Sequence, residues 1–237
     1  MTAAAVASPH CTTEGELGEE DHSMRQYFYS SSTLRVFCGI CQRSDVRRVA
    51  LLSTPSIFYA LPPEAREKVW LLEFDRRWET GNDRFAFFDF RAPVDDLPAS
   101  LRGACDLVVA DPPHINVATL ERYAEVVRTL LSPDGRFLLT TAADNEQWVA
   151  SELGAFPAHF VPKNTAAWGE LGRFRLFVSA GFRDGLLDVE NLEDFPRKAA
   201  KSWARGRGAG AGDDEEEESD GAEEDYAWNI GMVDHPL

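Results

Sequence analysis

Asp111-Pro112-Pro113-His114 follows directly on the apolar run Leu107-Val108-Val109-Ala110. An acid, two rigid prolines and an aromatic ring at the mouth of a buried-type strand are residues that can do chemistry. A carboxylate accepts hydrogen bonds at two oxygens, and a proline keeps its carbonyl while losing its N–H. Asp111 and the two proline carbonyls thus form an acceptor set for an amine, one that sheds hydrogen while its lone pair attacks a methyl carbon. A strand ended by a proline turn shows the same residues, so the reading needs support from elsewhere in the chain.

That support comes from the other apolar runs. Val49-Ala50-Leu51-Leu52 ends at Ser53-Thr54-Pro55-Ser56, Val69-Trp70-Leu71-Leu72 at Glu73-Phe74-Asp75, and Phe85-Ala86-Phe87-Phe88 at Asp89. Open α/β sheets bind ligands outside the carboxyl ends of their strands, and an acid after the second strand suits ribose hydroxyls. An acid after the third can accept from an exocyclic amine. No G-x-G-x-x-G follows the first strand, which counts against a dinucleotide, whose pyrophosphate needs close backbone approach. S-adenosylmethionine has no phosphate, so a small-residue turn such as Ser53-Thr54 could suffice for it.

The elements that must position these residues alternate. The helical stripe Leu34, Val36, Phe37, Ile40, capped by Ser31 or Ser32, opens the domain. A short helix over 57–60 follows the first strand. After the fourth strand, Leu120, Tyr123, Ala124, Val127 and Leu131 lie on one helical stripe. Ser132-Pro133-Asp134-Gly135 reads as a turn, 137–140 as a fifth strand and 144–153 as another helix. Residues 158–161 and 174–178 read as two consecutive strands without a full helix between them, which suggests antiparallel pairing at a sheet edge. The expected fold is α/β, a seven-stranded, mostly parallel sheet with a terminal antiparallel strand, the layout of Rossmann-like class I methyltransferases. Pattern alone also admits a dehydrogenase or hydrolase, although no Gly-x-Ser-x-Gly elbow is present.

Charge is unevenly placed along the 237 residues. Residues 1–23 hold no Lys or Arg and 5 acids, residues 24–185 hold 19 basic and 20 acidic side chains, and residues 186–237 hold 5 and 15. The near-neutral middle is the expected domain, 24–187, between disordered acidic tails at 1–23 and 188–237. Lys198 to Arg207 is a short basic patch, and Tyr226-Ala227-Trp228 an aromatic island in the second tail. No apolar run nears ~18 residues, so no membrane span is expected. Four cysteines without framework spacing fit reduced thiols. Cys38-Gly39-Ile40-Cys41 lacks the further ligands of a zinc site, so these are read as core cysteines and no metal is expected. The chain is read as a cytoplasmic monomer.

Several motifs in order resemble the elongation factor 1-alpha lysine methyltransferase family, long labelled N6-adenine-specific methyltransferase-like. The similarity runs from about Gln26 to Gly185. It rests on Gln26-Tyr27-Phe28-Tyr29-Ser30, Ser53-Thr54-Pro55-Ser56, Leu72-Glu73-Phe74-Asp75-Arg76-Arg77-Trp78, Phe87-Phe88-Asp89-Phe90, Ala110-Asp111-Pro112-Pro113-His114 and Phe160-Val161-Pro162-Lys163-Asn164. His114 stands where the family has Tyr or Phe. The resemblance implies S-adenosylmethionine-dependent methylation of a protein lysine, with elongation factor 1-alpha as partner. It implies that Gln26, Tyr29, Ser53, Thr54 and Pro55 meet the cofactor, with Glu73 or Asp75 on its ribose and Asp89 near its adenine amine. It also implies that Asp111, Pro112, Pro113 and His114 meet the target amine. Tyr27, Phe28 and Tyr29 would wall a partly dry pocket, lowering the lysine pKa from about 10.4. His114 would have to stay neutral beside a cationic lysine, as its ordinary pKa of about 6.5 allows.

Two other readings stand beside this one. The same Asp-Pro-Pro-aromatic geometry serves N6-adenine methylation of DNA or RNA, against which stand the near-neutral domain and the acidic tails, which repel phosphate. The change to His114 suits a relative that keeps the fold without catalysis.

Overall fold

Short runs rich in Val, Leu and Phe make the interior of this protein a sheet. β-Branched and large apolar side chains suit a pleated surface buried on both faces. The computed structural model describes residues 19–24, 26–114, 116–164 and 174–182. All belong to the first of two compact units, Met1–Asp194 and Phe195–Leu237. Of the expected acidic tails, 1–18 of the first and all of 188–237 lie outside the described residues, as does 165–173 between the last two strands.

The strands are β1 (Val49–Leu52), β2 (Val69–Glu73), β3 (Phe85–Phe87), β4 (Cys105–Ala110), β5 (Leu131–Ala142), β6 (Phe156–Pro157) and β7 (Phe174–Val178). They form one seven-stranded sheet in the order β3-β2-β1-β4-β5-β7-β6. The pairs from β3 through β5 are parallel, and β7 runs antiparallel to both β5 and β6. The helices are α1 (Ser31–Cys41), α2 (Pro55–Ala60), α3 (Pro63–Arg66), α4 (Val117–Leu130) and α5 (Glu146–Leu153). Every residue of β1 is buried, and the exposure of Leu107, Val108 and Ala110 in β4 is zero. The interior lies along these two strands, with Leu120, Tyr123, Val127 and Leu130 of α4 packed in the same cluster. No helix among the described residues is long and apolar enough to cross a membrane.

Three local details depart from the sequence reading. Ser30, not Ser31 or Ser32, caps α1, its hydroxyl accepting from Thr33 N. The strand expected at 158–161 is instead Phe156–Pro157. Phe160 is apolar because it packs edge-on against Phe37 of α1, 6.3 Å between centroids, and not because it sits in the ladder. The described structure also starts at Glu19, inside the expected tail, where the Glu20 carboxylate accepts from Phe28 N at 2.7 Å.

The turn at Ser132-Pro133-Asp134-Gly135 lies inside β5 as an irregularity. Cys105 pairs with Leu131 and Leu107 with Arg136, so four residues of β5 stand against one of β4. From Arg136 on, this sets the register that brings Ala110 opposite Leu139. Gly135 lets the two strands come together here: a Cβ on it would lie 2.6 Å from the Cys105 carbonyl oxygen and 3.0 Å from Ser132 N. Both are backbone atoms and cannot swing aside. Gly135→Ala is therefore expected to destabilise the fold by about 1–3 kcal/mol, measured by urea denaturation. An unchanged midpoint would show that the bulge is not tightly packed.

Candidate active site

Register builds the site. Leu52 of β1 pairs with Leu72 of β2 and with Ala110 of β4, and Ala110 pairs with Leu139 of β5. The next residue on each strand therefore falls in one row across the sheet: Glu73, Ser53, Asp111 and Thr140. The ladder continues into this row, since Ser53 N donates to Leu72 O at 2.9 Å and Asp111 N to Leu52 O at 3.1 Å. It stops there because Pro112 and Pro113 have no N–H to extend it.

Asp111 is held from β5 and from the segment before α1. The Thr140 hydroxyl donates to Asp111 Oδ1 at 2.5 Å, and the Tyr29 hydroxyl lies 3.1 Å from Thr140 Oγ1. Through that contact Tyr29 also bears on the Asp111 carboxyl and helps to lower its pKa. Burial pushes the Asp111 carboxyl up to about 6, while the hydroxyls of Thr140 and Tyr29 oppose that rise. Asp111 as a whole is half-buried, Pro112 buried, Pro113 half-buried and His114 exposed. The His114 ring meets Phe90 edge-on at 6.5 Å.

Glu73 and Asp75 separate in role. The Glu73 carboxylate accepts from Phe74 N at 2.9 Å and Asp75 N at 3.1 Å through Oε1 alone. Burial first, then the nearby charges of Asp75 and Asp111, raise it to about 7 against those hydrogen bonds. Asp75 caps the 3-10 turn Arg76–Glu79, accepts from Arg77 Nε at 2.7 Å and meets Gln26 Nε2 at 3.4 Å. Gln26 in turn accepts from Arg77 Nη2. Gln26, Asp75 and Arg77 thus form one ion-paired cluster, and Glu73 is the acid that stands in the row. Asp89 is paired similarly: Arg91 donates to both of its oxygens, at 2.9 and 2.8 Å, and holds its pKa below the usual range. The Arg91 guanidinium lies 5.8 Å from the Phe74 ring centre and 6.0 Å from that of Phe90.

Ser53 and Thr54 make a constrained turn. Ser53 has φ 57°, and no other non-glycine among the described residues has a positive φ. Thr54 is 1% exposed and its hydroxyl has no hydrogen-bond partner among the described residues. Pro55 opens α2 and is buried. The expected aromatic wall divides. Tyr27 stacks on His22 at 5.1 Å, Phe28 lies edge-on to Trp78 at 6.3 Å, and of the three Tyr29 alone meets Asp111.

Thr140, Tyr123 and Arg91 carry parts of this site that sequence reasoning did not single out. Tyr123 is buried on α4, its hydroxyl 2.6 Å from Ser53 Oγ. Burial, followed by the charges of Glu73, Asp111 and Asp89, pushes its pKa far up, so the phenol keeps its proton. The repeated Asp-x-Arg spacing, Asp75 to Arg77 and Asp89 to Arg91, was the signal for the two ion pairs.

The strand order, the antiparallel β7 and the acids at the carboxyl ends of the parallel strands define a Rossmann-like class I methyltransferase fold. The chain belongs to the family described as "Probable N6-adenine methyltransferase", which matches residues 20–179. It is 32% identical over 165 residues to EEF1A lysine methyltransferase 1 of Gallus gallus, covering 68% of this chain and 76% of that one. It is 26% identical over 179 residues to a protein-lysine N-methyltransferase of Dictyostelium discoideum, covering 73% and 82%. Among solved structures, the CurJ carbon methyltransferase is similar with a TM-score of 0.41 and 14% identity, over 62% of this chain and 53% of that one.

Glu73 gives a test of the electrostatics. Its folded pKa of about 7 lies above the ordinary 4.5, so ionising it costs the folded state stability as pH rises through 7, while below about 4.5 there is no cost. Glu73→Gln is expected to raise the melting temperature at pH 8, with the gain gone at pH 4.5. An equal gain at both pH values would mean that charge burial is not its source.

Proposed function

We propose that this chain is an S-adenosylmethionine-dependent protein-lysine N-methyltransferase, with translation elongation factor 1-alpha as its substrate. The observation that carries the reading is Asp111, held by Thr140 and Tyr29 beside the proline carbonyls. It lies in a chain 32% identical to a protein named EEF1A lysine methyltransferase 1. The residues suit the cofactor. Thr54 offers an unpartnered buried hydroxyl, and Glu73 offers Oε2, which no described hydrogen bond uses. Ser53, Thr54 and Pro55 would hold the cofactor at the end of β1, Glu73 its ribose, and Asp89 its adenine amine. Asp75 and Gln26 would support that edge through Arg77. When bound, S-adenosylmethionine supplies an electrophilic methyl group on a sulfonium.

Everything else falls to the side chains. Asp111 accepts one hydrogen of the target amine and the Pro112 carbonyl another, which fixes the direction of the lone pair. With a pKa of about 6, Asp111 is ionised at neutral pH, yet it is too weak a base to strip an ammonium of pKa about 10.4. The amine therefore gives its proton to solvent before Asp111 orients it, and orientation carries the rate. The exposed His114 ring, edge-on to Phe90, offers an aromatic surface beside Asp111 against which an aliphatic lysine stem can lie. Buried, unbridged Cys38, Cys41 and Cys105 support the cytoplasmic location that belongs to this reading.

Purified chain, labelled cofactor and a cell lysate test the substrate class: label is expected in the protein fraction, on lysine by mass spectrometry. Label in RNA or DNA would replace lysine by adenine as the target. Asp111→Ala is expected to lower transfer by about 10²-fold or more while cofactor affinity stays within about threefold by calorimetry. Undiminished transfer would sink the mechanism.

Arg91 supplies a second test. A ligand amine that reaches Asp89 competes with the guanidinium already there. Arg91→Ala is expected to tighten S-adenosylhomocysteine binding about three- to tenfold. Weaker binding would make Arg91 part of the ligand site itself.

A further inference from the structure

Ser53 pays a conformational penalty that glycine would not. An L-residue in the left-handed region brings its Cβ against the following carbonyl, and such a residue persists only when its surroundings over-determine it. The surroundings of Ser53 are specific. Its N–H is spent on Leu72 O at 2.9 Å, which anchors it to β2. Its hydroxyl lies 2.6 Å from the Tyr123 hydroxyl of α4. Tyr123 is 1% exposed, and its ring is wedged edge-on against Phe88 at 5.6 Å and tilted against Phe90 at 5.8 Å. The phenol oxygen is thus a fixed point supplied by the α4 core, and it reaches the end of β1.

The next residue shows what the turn achieves. Thr54 runs at φ −130° and ψ 58°, and its carbonyl accepts from Ile57 N at 3.1 Å as α2 begins. Its hydroxyl is buried and unpartnered among the described residues. An orphaned hydroxyl in a protein interior is costly, and here it belongs to the residue that follows Ser53 of the row. A phenol kept protonated can donate to Ser53 Oγ, which leaves the half-buried Ser53 hydroxyl hydrogen for a ligand acceptor.

We propose that Tyr123 is a positioning residue for the cofactor: its hydroxyl holds Ser53 in the left-handed conformation that presents the half-buried Ser53 hydroxyl to the ligand. In many nucleotide-binding turns glycine meets the same backbone demand; here a side-chain hydrogen bond from a helix does. Tyr123 is too buried to touch the ligand and acts through Ser53. The inference rests on the cofactor reading given above.

The test is a double-mutant cycle read by calorimetric binding of S-adenosylhomocysteine, with thermal melting as control. Tyr123→Phe keeps the ring and its packing and removes only the hydroxyl. It is expected to weaken binding about tenfold in the native background. In a Ser53→Gly background, where the left-handed turn needs no support, the same Tyr123→Phe change is expected to cost less than about twofold. Equal losses in both backgrounds would overturn the proposal, since Tyr123 would then act independently of the turn. So would a Tyr123→Phe chain that binds like the native one. If the native chain itself does not bind S-adenosylhomocysteine, the functional reading fails and the inference falls with it; native binding with an unaffected Tyr123→Phe variant sinks the inference alone.

Discussion

A carboxylate at the end of an interior strand has to be held against desolvation and against its neighbours, and for Asp111 the Thr140 hydroxyl does this at 2.5 Å. That bond joins the ends of β4 and β5, and much of the site depends on the conditions that make it possible. Thr140 stands beside Asp111 only because Ala110 pairs with Leu139. That pairing depends on the irregular stretch at residues 132–135, where Gly135 passes within reach of the Cys105 carbonyl. Tyr29 closes the arrangement from the segment before α1, which is itself tied down by Ser30 N donating to Lys163 O at 2.8 Å and by the bridge between Tyr29 and Asn164. A bulge, a strand register and an N-terminal strap thus converge on one carboxylate.

The acids along the strand ends raise the opposite question, of how the fold tolerates them. Each has a different answer. Asp75 and Asp89 have guanidinium partners two residues on, Arg77 and Arg91. Glu73 has only backbone N–H donors and a pKa raised to about 7, so near neutrality it is about half protonated. Asp111 has hydroxyl donors and sits near 6. Grading the support in this way keeps the summed negative charge below what four free carboxylates would create. It also leaves two of them, Glu73 and Asp111, unpaired by any cation among the described residues and available to a ligand.

What the sequence made legible follows from this division. Acids and paired prolines at the ends of apolar runs stand out because neither belongs in a buried strand, and so the row containing Glu73, Ser53 and Asp111 could be foreseen. Thr140 could not, since Leu138-Leu139-Thr140-Thr141 reads as the ordinary tail of a strand and its place beside Asp111 is a matter of register. Tyr123 was visible only as one member of an apolar stripe, although a buried tyrosine generally needs a partner for its hydroxyl. The strand expected at 158–161 failed for a related reason: the hydrophobicity of Phe160 answers to α1, and periodicity does not distinguish helix packing from sheet pairing.

The electrostatics of the row also bear on which amine suits the site. A carboxylate beside a target ammonium favours its entry but raises its pKa, and a protonated amine has no lone pair to give. A strongly anionic site would therefore bind lysine well and release its proton reluctantly. The raised pKa of Glu73 softens this conflict, since a partly neutral Glu73 weakens the field that would hold the proton on the amine. Adenine presents no such conflict, its exocyclic amine being uncharged, but it arrives on a phosphate chain that gains nothing from acids at the mouth of the site. The guarded negative charge of the row therefore supports the proposed lysine substrate, for which attraction at entry and loss of a proton at reaction must both be met.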